Sequence, residues 1–272
     1  MFIYIPTRGR PDKQITLKSI PSHWHDRVAL VTSKEEWKTL KRAVGNVTVL
    51  ADSTSCLSDR RQHIQKVAMV GGQKKIVMMD DDLVFLKKGP KKDPEAKTPY
   101  SMYGIGPRDF DIMMREMSDA LDDHAITSFA ERNRCHTHEP DMLDLSYNTR
   151  INGVLGYRPD VVDRESLRWN QFRLCADFDM TLSLYRAGYS GAVICRYIWG
   201  QRGTSNAKGG CSTYRTKELH EAVIRSLAEK HKPFVSVVEK STKGGWYEGE
   251  TRVDAKIAWK KAWASAPERK TP

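Results

Sequence analysis

Short apolar runs alternate with longer polar, helix-period stretches along the first third of the chain. Phe2–Ile5, Val28–Val31, Val47–Leu50 and Ile76–Met79 are the runs, and their length and β-branched content predict strands. Between them, Asp12 through Ile20, the stretch after Ser33 (an N-cap over Lys34–Glu35–Glu36) and Ser58 through Val70 predict helices. Strand–helix alternation of this kind implies a parallel sheet with right-handed crossovers and helices on both faces, a nucleotide-binding half. The fourth run, bounded upstream by Gly71–Gly72 and two lysines, is apolar throughout, as a strand buried on both faces is.

Further on, Asp109 to Leu121 predicts an amphipathic helix with Ile112, Met113, Met117 and Leu121 on one stripe, a core face. Ala125–Phe129 and Ala192–Ile198 predict strands, and Ile151–Tyr157 a strand-like piece whose glycines admit close approach to backbone. A helix follows Asp177, which stands where an N-cap would, and Gly188 ends it as the C′ residue. Thr216–Lys230 predicts another helix, and Phe234–Val238 an alternating apolar run. Lys87–Pro99 is rich in Lys and Pro and predicts a mobile basic loop. Gly200–Arg215 is glycine-rich and basic, as a loop closing over an anion would be. From Lys240 on, lysines and arginines interleave with Trp246, Tyr247, Trp259 and Trp263. That mixture suits backbone contact and base stacking, or a tail anchored on the domain by its tryptophans. The expected division is a domain over 1–239 and a basic, aromatic appendage over 240–272.

Composition adds partners and compartment to this outline. The chain has 272 residues, 39% of them hydrophobic, enough for one full core. Its formal net charge of +11 attracts polyanions, nucleic acid first and an anionic membrane surface second; a basic protein that merely stays soluble is the plain alternative. No apolar stretch reaches the ~18 residues of a membrane span. Met1–Pro6 reads directly as a strand, with no basic n-region or long apolar segment of a signal peptide expected in it, and the five scattered cysteines, without a CxxC pair, read as reduced cytosolic thiols. Cys135, His136 and His138 stand close together but lack a second half-site for a metal.

The candidate chemistry gathers at predicted strand ends. The fourth strand runs directly into Asp80–Asp81–Asp82. Like charges packed that closely call for a cation or a solvated surface, and strand ends of a parallel sheet face its ligand crevice. Mg²⁺ or Mn²⁺ takes oxygen ligands from one or two carboxylates plus substrate phosphates. A solvated acidic turn is the other possibility. The first strand ends in Thr7–Arg8–Gly9–Arg10, whose guanidinium forks and backbone N–H groups suit a diphosphate or a nucleobase, and Arg60 and Arg61 bring two more arginines to that edge. Asp177 is either a helix cap or a catalytic carboxylate.

An arginine-bearing first loop, Met78–Met79–Asp80–Asp81–Asp82–Leu83–Val84–Phe85 and an Ala176–Asp177–Phe178–Asp179 helix start, in that order, resemble the GT-A glycosyltransferases of the family-2 type. The resemblance covers roughly Phe2 to Arg215; with the Gly209–Arg215 segment it narrows to the phage-associated TET-associated glycosyltransferases, thought to add sugar to 5-hydroxymethylpyrimidines in DNA. It implies a GT-A fold: α/β, Rossmann-like, with a mostly parallel central sheet. By the resemblance, Asp80–Asp82 is the family's DXD motif. Asp82 would bind the metal that bridges the diphosphate, Asp80 the metal or the ribose, and Asp81 the donor. Thr7, Arg8 and Arg10 would form the nucleotide-contacting loop, joined by Arg60 or Arg61. Asp177 would be the general base of an inverting enzyme, with Asp179 the base if it points inward instead. Ala176 stands where the family has Glu, a departure from the pattern. His220 is the nearest match to a late histidine that serves as a further metal ligand. The implied cofactors are Mn²⁺ or Mg²⁺ and a nucleotide-sugar donor such as UDP-glucose. The implied acceptor is double-stranded DNA carrying 5-hydroxymethylcytosine or a related base, in the cytoplasm of a phage-infected host and without a membrane.

Other readings stay open on sequence alone. One is a polysaccharide or protein glycosyltransferase. Another is a metal-dependent nucleotidyltransferase or nuclease, which would want further acidic ligands on neighbouring strands. A third is a DNA-binding protein with a vestigial acidic site.

Overall fold

The computed structural model describes residues 1–95, 100–132, 145–201, 209–241, 249 and 251–272. Its N-terminal half follows the predicted alternation: β1 (Phe2–Pro6), α1 (Ile15–Ser19), β2 (Val28–Ser33), α2 (Lys34–Val44), β3 (Thr48–Asp52), α3 (Leu57–Val70) and β4 (Ile76–Met79). After these come β5 (Leu83–Gly89), β6 (Ser101–Gly104), α4 (Pro107–Asp123), β7 (Ile126–Glu131), β8 (Leu145–Tyr147), β9 (Val154–Tyr157) and α5 (Pro159–Arg164). The chain ends with α6 (Ala176–Arg186), β10 (Gly191–Gln201), α7 (Lys217–Lys230), β11 (Val235–Ser241), β12 (Thr251–Ile257) and α8 (Trp259–Ala264).

The main sheet has the order β3-β2-β1-β4-β9-β7-β10-β5-β6, with β8 also on β10. The pairings make β1, β2, β3, β4, β6, β7 and β10 run one way and β5, β8 and β9 the other, so the sheet is mostly parallel. Burial on both faces follows the period of two along each strand. Ile3 and Ile5 pack with Leu30, Val77 and Met79 under α1, α2 and the Phe110–Met113–Met114–Met117 stripe of α4. Tyr4, Ala29, Val31, Ile76 and Met78 pack on the opposite side with Ile64 and Ala68 of α3 and Met180 and Leu184 of α6. Each fully buried apolar side chain contributes about 1.5–3 kcal/mol relative to exposure.

Three differences from the sequence reading have physical causes. Lys87 and Lys88 lie in β5, paired with Tyr103 and Met102 of β6. There Lys88 Nζ sits 4.6 Å from the Tyr100 ring centroid and Lys87 Nζ bonds Asp109 at 2.7 Å, so long stems let lysines line a strand that composition reads as loop. The N-cap of α6 is Cys175, at φ 58°, and Asp177 stands inside the first turn. Gly188 does end that helix as predicted, at φ +100°, where a Cβ would meet the Glu268 carbonyl. The segment after Phe234 is a hairpin of β11 and β12, paired from Val235↔Ile257 to Ser241↔Thr251, and the boundary expected at 239/240 runs through β11. The Cys135–His138 cluster falls outside the described residues.

Candidate active site

The C-terminal ends of β1, β3, β4 and β10 share one edge of the sheet. There the chain builds a cleft of about 490 Å³, lined by Thr7, Arg8, Arg10, Arg60 and Asp80–Asp82 together with Gln201, Gly209–Ser212, Tyr214, Arg215 and Arg252.

The acidic turn is fixed by its backbone. Asp80 N–H donates to the Gly153 carbonyl (3.0 Å), Thr16 Oγ1 donates to the Asp80 carbonyl (2.5 Å), and Thr16 N–H donates to the Asp81 carbonyl (3.1 Å). Leu83 N–H returns a bond to Thr16 Oγ1 at 2.8 Å. Gly153 is required beside it: φ is +70°, and a Cβ would fall 2.6 Å from the Trp199 ring.

The three carboxylates have different surroundings. Asp81 is 5% exposed and accepts from Thr7 Oγ1 (2.6 Å) and Arg10 Nη1 (2.8 Å), which ties the first loop to the acidic turn. Burial raises its pKa, against the pull of the Thr7 and Arg10 bonds. Asp82, also 5% exposed, accepts from the same Arg10 nitrogen (3.0 Å) and from Gln201 Nε2 (3.2 Å). Asp80 faces the cleft with a side chain 27% exposed, and only its Oδ1 has a partner among the described residues, Arg61 Nη2 at 3.2 Å. Desolvation by burial pushes its pKa up to about 7; Arg61 draws it down, and the charges of Asp82, Asp177 and Asp81 add to the rise.

Most arginines here are committed to carboxylates. Arg60, 2% exposed, donates Nε and Nη2 to Asp52 at the end of β3 (2.7 and 2.9 Å) and Nη1 to the Thr7 carbonyl (2.5 Å). Burial would raise the Asp52 carboxyl, but the Arg60 bonds prevail and hold it below the ordinary range. A carboxyl depressed in this way stabilises the fold above that range, and the contribution is lost as pH falls through the folded-state value. Asp52→Asn leaves Arg60 buried without a counter-charge and is expected to cost about 3–5 kcal/mol in urea unfolding at neutral pH, with no acid-dependent limb from this pair. A loss within ~0.5 kcal/mol would show that the pair does not hold the first loop.

Thr7, Arg8, Arg10, Arg60 and Asp80–Asp82 thus meet in one cleft, and Arg61 reaches it through Asp80. Asp177 is not among the residues lining the cleft; it is half-buried, close enough for its charge to act on both Asp80 and Arg61. Asp179 is not brought there. It is 2% exposed and accepts from Lys230 Nζ and His231 Nε2, both at 2.7 Å, an ion-paired anchor for the end of α7. Positions two apart on a helix face different sides, so Asp177 and Asp179 cannot serve one site. His220 lies on α7 with Nε2 3.1 Å from the Val253 carbonyl and does not line the cleft. Gln201, Tyr214, Arg215 and Arg252 line it without having been singled out by sequence. Their loop was readable as anion-closing, but nothing in the order of residues brings β12 to β1.

Among the described residues, no group of three or more His, Cys, Asp or Glu is arranged to hold a metal ion. A hard cation held by one or two carboxylates and completed by a ligand's phosphates nevertheless fits the donor set: Asp80 has an oxygen without a partner among the described residues, and Asp82 would hold the ion in place of its bond to Arg10 or Gln201. No described helix is long and apolar enough to cross a membrane.

Carboxylates and guanidinium groups lining one cleft at this sheet edge suit a ligand bearing a diphosphate. The class that fold and cleft define is the GT-A glycosyltransferase. The chain belongs to the TET-associated glycosyltransferase family, whose model matches residues 1–210. No curated protein matches the sequence. Among solved structures, the chain is similar to TarS residues 1–349 of S. aureus (12% identity, TM-score 0.48, 85% of this chain and 65% of that one). It is also similar to CMP:2-keto-3-deoxy-manno-octonic acid synthetase complexed with CTP (16%, TM-score 0.43, 84% and 98%). A third likeness is to mannose-1-phosphate geranyltransferase of Thermus thermophilus (9%, TM-score 0.43, 73% and 75%). The chain spans 65% of the TarS structure, and likenesses this distant say nothing of substrate.

Proposed function

We propose that this glycosyltransferase moves a sugar from a nucleoside-diphosphate sugar, UDP-glucose or a similar UDP-sugar, to the hydroxyl of 5-hydroxymethylcytosine or a related base in double-stranded phage DNA. Transfer inverts the anomeric centre, depends on Mn²⁺ or Mg²⁺, and takes place in the host cytoplasm. The observation that carries this reading is the acidic turn tied to the arginine loop in the lining of one cleft, with Asp177 within electrostatic reach. The family and the net charge of +11 support a DNA acceptor.

In this mechanism Arg8 orients the diphosphate, and Arg10, bridging Asp81 and Asp82, keeps their loop in place together with Thr7. Asp80 and Asp82 would hold the cation, which supplies charge compensation for the leaving diphosphate. Asp177 takes the proton of the acceptor hydroxyl as its oxygen bonds to the anomeric carbon. The bond from that carbon to the diphosphate breaks, and the nucleoside diphosphate leaves with the electron pair.

The test is a panel of nucleotide-sugars incubated with and without hydroxymethylated duplex, following nucleoside diphosphate release and the mass of the DNA. Sugar-bearing DNA is the expected product. Duplex affinity is also expected to fall steeply and linearly on a log–log plot against salt. Salt-insensitive binding, or transfer to a glycan and never to DNA, would overturn the acceptor assignment.

A further inference from the structure

The family model ends at residue 210, yet residues beyond it, Arg215 and Arg252 among them, line the cleft. Arg252 comes from the hairpin near the C-terminus. That hairpin is a fixed piece of the fold: Val235 and Val253 are buried, and Val235 packs with Leu182 of α6, Ala228 of α7 and Ala262 of α8. His220 Nε2 meets the Val253 carbonyl at 3.1 Å, which holds β12 against α7 one residue from Arg252. With Val253 facing inward, the alternation of a strand puts Arg252 and Asp254 on the other face, and the register sets Lys240 opposite Arg252.

The charges on that face do not cancel. Lys240 Nζ takes Asp254 Oδ2 at 2.9 Å, while Arg252 Nη2 reaches the same oxygen only at 3.4 Å. Two cations thus share one carboxylate, and Arg252, its side chain 36% exposed, has no other partner among the described residues. Elsewhere in the cleft, Arg60 is committed to Asp52, and Arg10 bridges Asp81 and Asp82. A phosphate entering from the open side therefore meets Arg252 with its donors available, and a guanidinium fork matches phosphate oxygens.

We propose that Arg252, with Arg215 lining the same cleft, forms an anion subsite that takes a phosphate group, so that the C-terminal hairpin is part of the substrate site. The inference rests on reading the cleft as a nucleotide-sugar site. Two ligands carry the required chemistry, the donor's diphosphate and the phosphodiester of a DNA acceptor, and separate measurements distinguish them.

UDP binding and its competition by inorganic pyrophosphate are measured by calorimetry, and duplex DNA binding by fluorescence anisotropy, for the wild type, Arg252→Ala and Asp254→Asn. If the donor is bound, Arg252→Ala weakens UDP and pyrophosphate about 10- to 100-fold, the size of a lost charge-assisted contact. If the acceptor is bound, UDP is untouched and duplex affinity falls by a comparable factor. Either way, Asp254→Asn, which removes the carboxylate that Arg252 shares, binds at least as tightly as the wild type. Unchanged binding of all three ligands by Arg252→Ala overturns the subsite. Equal losses in Arg252→Ala and Asp254→Asn, with a lowered thermal midpoint in both, also overturn it, because the pair is then only a hairpin brace. A wild type that binds neither UDP nor pyrophosphate sinks the donor-site reading itself, whereas failure of the subsite shows only in the variant.

Discussion

Asp82→Ala is expected to lower sugar transfer about 10³-fold or more, and chelation of divalent cations from the wild type to do the same. A cation and its carboxylate contribute several kcal/mol of charge stabilisation at a leaving diphosphate, and a loss of that size is a factor of this order. The fold should survive the substitution. Asp82 sits at a strand end, and the Arg10 nitrogen that bridges the two carboxylates keeps Asp81 at 2.8 Å when Asp82 is removed. No buried guanidinium is left without a counter-charge, in contrast to Asp52→Asn. The thermal midpoint is therefore expected within a few degrees of the wild type, which makes lost turnover a statement about the site. Full activity of Asp82→Ala, or of the wild type in EDTA, would remove the acidic turn from the reaction and leave it as the anchor of the first loop.

What could be read from the sequence was whatever is local. Apolar runs of four residues marked β1, β2 and β4 because a strand covered on both faces has no polar side to display, and the run at β3, an edge strand, by its β-branched content. The helices between them carry their own period and stops. The acidic turn and the arginine loop were legible because charges at the ends of such strands have one edge to go to. Pairings that depend on distant partners were not legible. β9 enters the sheet antiparallel between β4 and β7, and β5 pairs antiparallel with β10, a strand more than a hundred residues later. The same limit hid Arg252: it is one base among many in a basic segment until a hairpin docked on α6 and α7 turns it toward the cleft. Asp179 shows a different limit. Two carboxylates separated by one residue look interchangeable in sequence, and only the pairing of Asp179 with the buried His231 and with Lys230 reveals which side of the helix faces the core.

Asp177→Asn is expected to retain nucleotide-sugar binding and to lose transfer by about 10²–10⁴-fold, the contribution of a positioned general base. A capping role no longer competes for this residue. Cys175 occupies the N-cap, and Asp177 stands in the first turn, where the helix dipole favours a negative charge. Asparagine matches its shape and keeps a hydrogen-bonding oxygen, so helix and cleft should stay in place at a cost of about 0.3–1 kcal/mol from the lost dipole interaction. What asparagine cannot do is accept and hold a proton. The substitution also removes a negative charge beside Asp80 and Arg61, so donor affinity should hold or improve, because a diphosphate then meets less repulsion. Asp179→Asn provides the contrast: it weakens the anchor to Lys230 and His231 and should lower the thermal midpoint while transfer per folded molecule is unchanged. Wild-type transfer by Asp177→Asn, measured with saturating donor and hydroxymethylated duplex, would place the base on another residue. Loss of transfer in Asp179→Asn but not in Asp177→Asn would reverse the assignment of the two carboxylates.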